Sequence, residues 1–293
     1  QNTGADGHNT GVGHKAGRLI TTGVQNTIIG ALAGDALTDA DSNVAVGRGA
    51  LTSDTLGSYS VAIGDRALTS QNFTTATNTF NTAVGADAGV SVTTGTQNTL
   101  IGALAGDALT TGGLTCVGYL SGSALTTSVG NVLMGELSGT ALTTGANNTA
   151  IGSQALSTDT VGSQSVAIGH DALRAQNFAT ATNAINTAVG YNAGTSITTG
   201  VNNILIGGFA GDALTGTADF SGGANNVAVG RAALGGDTLG SASVAIGFET
   251  LLAQNFTSTT DTYNTAVGYR AGLAVTTGTN NTLIGSLTGD ALT

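Results

Sequence analysis

Glycine returns at nearly fixed intervals along this chain of 293 residues, and that period limits the fold more than any other feature. One short motif occurs sixteen times, from Gly13 to Gly285: Asn, a β-branched residue, a small residue or Leu, Val or Ile, then Gly. The interval is 17 residues in most copies, 16 once, and 21 or 23 where the unit is extended. Self-similarity at a short fixed period is the mark of stacked repeats. Helix is disfavoured, because every unit carries Gly and the apolar spacing is two rather than 3.6. Each unit reads as one coil of an all-β solenoid, with a short strand, a Gly turn and a second apolar piece such as Ala108-Leu109 or Ala213-Leu214.

The columns of the repeat predict a packing scheme. Directly before the Gly stands Val, Ile or, once, Met134, and three before it stands Thr, Val or Ile. These positions share one face of a strand, and the column between them, mostly Ala or Leu, faces the other way. A strand apolar on both faces needs cover on both sides. We expect the Ile column, represented by Ile63, Ile101, Ile168, Ile206, Ile246 and Ile284, to form the core stack. The Ala/Leu column would then meet a neighbouring chain. Four before the Gly stands Asn in twelve of sixteen copies. Asn81, Asn98, Asn148, Asn186, Asn203, Asn264 and Asn281 are expected to form a hydrogen-bonded ladder from coil to coil.

Three of the long units contain Gln-Asn-Phe, at Gln71-Asn72-Phe73, Gln176-Asn177-Phe178 and Gln254-Asn255-Phe256. Insertions in a solenoid emerge on one face, and that face often binds. Phe73, Phe178 and Phe256, with Gln71, Gln176 and Gln254, are therefore the candidate surface or partner contacts. The competing reading folds each Phe down over its own coil, since an exposed Phe rank invites aggregation. Residues 1–293 read as one continuous array with repeat-like ends (Gln1-Asn2-Thr3 and Thr293), which we expect to be a segment of a longer fibrous protein.

Composition narrows the function classes. Net charge is -10 and the seven Lys and Arg are scattered, so nucleic acid is not an expected partner. No apolar run reaches the ~18 residues of a membrane span, and no membrane insertion is expected. One Cys rules out a disulfide scaffold.

The copies Ser60-Val61-Ala62-Ile63-Gly64, Ser165-Val166-Ala167-Ile168-Gly169 and Ser243-Val244-Ala245-Ile246-Gly247 resemble the head repeats of YadA-like trimeric autotransporter adhesins. Asn186-Thr187-Ala188-Val189-Gly190 and Asn264-Thr265-Ala266-Val267-Gly268 also resemble repeats of phage tail fibres and bacterial surface fibres. The resemblance implies a left-handed parallel β-roll, a side-by-side homotrimer and an extracellular fibre on a cell or virion, with a host-surface protein or glycan as a further partner. The familiar head repeat is shorter than this one.

Catalytic motifs are absent: there is no Gly-x-Ser-x-Gly, Walker-type Gly-Lys-Ser/Thr or His-Glu-x-x-His, and we expect no enzyme and no cofactor. His8, His14 and His170 lie in different coils and lack a further ligand pattern. Asp recurs in Gly-Asp-Ala-Leu-Thr and Asp-Thr-Leu/Val-Gly, where turn formation competes with calcium binding. Cys116 fills the Ala/Leu column as a small apolar residue. A single-chain solenoid that binds ice, calcium or glycan is the alternative to a fibre. The mixing of Thr with Val and Ile in one column argues against ice, because it suits a buried rank.

Overall fold

The computed structural model describes residues 7–292, so Gln1-Asn2-Thr3 and Thr293 lie outside the described residues. The fold is a parallel β-solenoid of sixteen coils, with no helix among the described residues. It falls into two compact units, Gln1–Thr144 and Gly145–Thr293. In the first, eight three-residue strands stack in chain order from Thr10–Val12 to Val132–Met134. In the second, eight more run from Thr149–Ile151 to Thr282–Ile284. Every pairing is parallel and in register, so each column of the repeat becomes a rank, as in Val166↔Thr187, Ala167↔Ala188 and Ile168↔Val189.

Within each unit, main-chain hydrogen bonds tie successive coils together. The Thr187 N–H donates to the Asn203 carbonyl one coil ahead at 2.7 Å, and the Gly190 N–H donates to the Ile168 carbonyl one coil behind at 2.8 Å. The repeat Gly turns the chain at the end of each strand. Gly152 has φ +136°, and a Cβ there would lie 2.6 Å from the Gly169 carbonyl carbon, so the position admits no side chain.

The core is the Ala/Leu column, which reverses the expected packing. Ala62, Leu100, Leu133, Ala167, Leu205 and Ala245 are wholly buried inside their own coils. Ile63, Ile101, Ile206, Ile246 and Ile284 are exposed and Ile168 is half-buried, so the expected core stack lies outside. The reason is parity. The ladder Asn and the middle strand residue are two apart and share a face, while the Ile before the Gly points to the other. Once Asn turns inward to satisfy main-chain groups, the Ala/Leu column follows it.

Size alternation fills the narrow interior. Where the strand carries Leu, as at Leu100, Leu133 and Leu205, the residue four after the repeat Gly is Gly106, Gly139 or Gly211. A Cβ on Gly106 would sit 2.9 Å from a Leu100 methyl. Where the strand carries Ala62, Ala150 or Ala245, the same place holds the buried Leu68, Leu156 or Leu251. In these six coils a large side chain on one wall faces a small one on the other, and where the facing place is Gly a further buried residue such as Leu109, Leu142 or Leu214 fills the space, which meets the close packing of a protein interior.

Candidate interaction face

The ladder Asn residues are buried, apart from the half-buried Asn281 in the last coil, and hydrogen-bond between coils. Asn98 donates from its backbone N–H and its side-chain amide to Asn81 Oδ1, both at 3.0 Å. Asn203 and Asn281 make the same pair of bonds to Asn186 and Asn264. The Asn148 oxygen accepts the Ser165 N–H at 2.9 Å. The ladder thus meets main-chain hydrogen-bond demand inside the coil.

The Gln-Asn-Phe insertions are buried clasps rather than surface contacts. Phe178 is wholly buried and packs on Phe220 with ring centroids 5.8 Å apart, and Phe73 and Phe256 are also buried. Gln71, Gln176 and Gln254 donate to the buried carboxylates of Asp54, Asp159 and Asp237, each at 2.6 Å. The other oxygen of each Asp accepts two backbone N–H groups, from Gly57 and Phe73 for Asp54. The Gln oxygens accept the side-chain amides of Asn81, Asn186 and Asn264. These Gln side chains are unavailable to a partner because they satisfy a carboxylate that has no cation beside it among the described residues, and the Phe rings because they are buried. The recurrence of Asp-Thr-Leu/Val-Gly seventeen residues before each Gln was the signal that could have paired them.

The outward sheet face is the feature left open. Its strand positions carry Val, Ile or Thr in every coil, apart from Met134, and all are half-buried or exposed. Ile63 is 37% and Ile246 39% accessible. No charge enters this face. Lys15, Arg18, Arg48, Arg66, Arg174, Arg231 and Arg270 all lie one to five residues after a repeat Gly, at the turn corner. There Arg48 pairs with Asp65 at 2.9 Å, Arg66 with Asp87 at 2.7 Å and Arg270 with Glu249 at 2.8 Å. Aromatic rings stack along the same corner: His170 on Tyr191 at 5.5 Å and Phe248 on Tyr269 at 5.5 Å.

The remaining candidates carry less chemistry. Among the described residues no three His, Cys, Asp or Glu side chains gather as a metal site. A cavity of about 480 Å³ lies at the first coil, lined by His8, Asn9, Ile20 and Ile28 among others. Cys116 is buried in the core column, and burial pushes its thiol up to about 12, far from thiolate chemistry at neutral pH. No described helix is long and apolar enough to cross a membrane. Comparison of the chain with family models, with curated proteins and with solved structures finds no match.

Proposed function

We propose that this chain is a structural and adhesive segment of an extracellular fibre, assembled side by side with copies of itself as a trimer. The observation that carries the reading is the uncharged, β-branched outward face, repeated in every coil while all described Lys and Arg stand at the turn corner. Two copies of a chain with net charge -10 can approach through such a face without opposing like charges. In each unit, eight coils of about 4.8 Å and a three-residue strand span of about 10 Å make a face of about 380 Å². Two copies facing each other bury about 760 Å² per unit, and the two units together pass the roughly 1,000 Å² at which specific interfaces begin. Trimeric order follows the resemblance of Ser165-Val166-Ala167-Ile168-Gly169 and its kin to adhesin head repeats. A host-surface protein or glycan would be met at the turn corner, where Tyr191 and Tyr269 are exposed.

Light scattering of the purified chain tests the proposal, with three times the 28.3 kDa chain mass expected. A monomer would overturn it. One observation favours a second reading in that case: Thr82, Thr99 and Thr115 form an outward, half-buried rank in three successive coils. A water-ordering, ice-binding solenoid would then be expected to show thermal hysteresis.

A further inference from the structure

The residue just before each ladder Asn or Ser takes a left-handed backbone conformation at the margin of the outward face. Most coils place a polar residue there, such as Gln25 at φ 59°, Asn147 at 59°, Asn202 at 59° or Asn280 at 60°. Asn tolerates this conformation better than other side chains do. The coil that follows each Gln-Asn-Phe insertion carries a large side chain there instead, and one coil before Phe80 the exposed Tyr59, at φ 63°, stacks on it with ring centroids 5.6 Å apart. The residues after the insertions are Phe80 at φ 51°, Ile185 at 52° and Tyr263 at 52°. A β-branched residue such as Ile185 at positive φ is a genuine outlier. All three are more than half accessible, at 54%, 52% and 58%. Burial alternates away from them, with Phe80 out, Asn81 in, Thr82 out, Ala83 in and Val84 out, which sets them beside the Val/Ile ranks.

The insertions explain how these side chains are held. Ile185 directly precedes Asn186, whose amide donates to Gln176, and Gln176 in turn donates to Asp159. The same chain of bonds precedes Phe80 and Tyr263. A rigid buried network thus ends, three times, in one strained and exposed large side chain, of which Tyr263 also donates its hydroxyl to Asp261 at 3.2 Å. Strain that persists in this way points to a use.

We infer that Phe80, Ile185 and Tyr263 are register keys, which lock copies of this chain in parallel at zero offset. The inference rests on the self-association proposed above. A face identical in every coil makes the same contacts after any slide by whole coils of about 4.8 Å, so the strand ranks alone leave the register open. Keys at selected coils remove that freedom. Within the second unit Ile185 and Tyr263 are four coils apart, and only zero offset brings both to the height of their counterparts. Polar residues at most neighbouring margins penalise a slipped key, because a large side chain then meets Asn202 or Asn225 between the keys or Asn280 beyond them, and only Ala242 is apolar.

Disulfide trapping in a Cys116→Ala background tests this, Ala being the usual residue of that column. Thr187→Cys and Val227→Cys chains are prepared separately, mixed, refolded together and oxidised. The two sites are two coils apart, about 10 Å, beyond the reach of a disulfide in register. The expected result is disulfides between like positions only. A triple variant, Phe80→Asn, Ile185→Asn and Tyr263→Asn, carries the residue other coils use, so it is expected to fold and associate. It should raise the yield of unlike Thr187→Cys/Val227→Cys disulfides at least fivefold. Equal unlike yields in the parent, or a triple variant with the parent's pattern, would overturn the keys while leaving association intact. A monomeric parent would overturn association, and the keys with it.

Discussion

The side-chain amide of Gln176 donates to the carboxylate of Asp159 at 2.6 Å from one coil to the next, with both side chains fully out of solvent. Among the described residues the carboxylate has no cation beside it and is held by neutral donors: this amide, the Gly162 N–H at 3.0 Å, the Phe178 N–H at 3.4 Å and the Val161 N–H. Gln176→Leu removes the shortest of these bonds and should cost about 1–3 kcal/mol of stability. Gln176→Glu should cost more at neutral pH, about 3–5 kcal/mol, because it adds a second buried charge without a partner. Its deficit should shrink in mild acid, when one carboxyl takes a proton. Denaturant melts of both variants at pH 7 and pH 4.5 would check this, and a Glu variant insensitive to pH would refute the clasp.

Burial pushes the carboxyls of Asp159, Asp107 and Asp212 above their ordinary value of 3.8. A carboxyl with a raised folded-state pKa binds its proton more tightly in the fold than in the unfolded chain. Its contribution is therefore fullest below 3.8 and is lost as pH rises through the raised value. Asp219 opposes this at the acid end. Hydrogen bonds from Thr217 and Ser221 hold it down to about 2, so its contribution is present above 3.8 and fades as pH falls through 2. The melting temperature should rise from pH 7 to about pH 4 and decline toward pH 2. Asp159→Asn should flatten the upper slope in a calorimetric pH series. A melting temperature that climbs steadily toward neutral pH would contradict the assignment.

Ala167 and Ile168 are chain neighbours on opposite faces of one strand. Ala167→Asp places a charge in the sealed interior and should unfold the coils around it. Ile168→Asp places one on the outward face and should cost only about 1 kcal/mol in the isolated chain. If the face joins copies, Ile168→Asp should also reduce the mass in light scattering to one chain. Equal loss of circular dichroism in the two variants would contradict the inward assignment of the Ala/Leu column.

The size alternation predicts a coupled pair. Leu156→Gly empties the interior opposite Ala150 and should cost about 2–4 kcal/mol, less whatever is regained from the left-handed Leu156 backbone at φ 53°. Ala150→Leu overfills the same space and should cost about 1–3 kcal/mol. The double variant reproduces the Leu-with-Gly arrangement of Leu133 and Gly139 and should be near the parent, a coupling of about 2 kcal/mol or more. Additive losses in a double-mutant cycle would show that the two residues do not share one space.

Much of this architecture was legible in the residues themselves. Gly at each turn, the spacing of two and the 17-residue interval allow only a stack of short strands, because no side chain fits where Gly152 meets Gly169. The Asn ladder was readable too, since Asn98 recurs one period after Asn81. The direction of the strand faces was misjudged. Val and Ile at the places of Ile63 and Ile246 have the hydrophobicity of a core, yet the Asn that shares the Ala column's parity turns inward and carries that column with it. The insertions were legible as exceptions and not as clasps, because Gln176 meets Asp159 through the stacking of coils and not through neighbouring sequence.

Period, motif and glycine placement therefore determined by themselves that the chain coils, how many coils it makes and which residues lie in register. Only the tertiary structure decided which face of each strand is enclosed, where the Gln-Asn-Phe side chains go and which apolar residues remain outside. A local pattern records alternation but not its sign. The sign is set when buried amides and carboxylates must find partners one coil away, and that demand exists only after the coils have stacked.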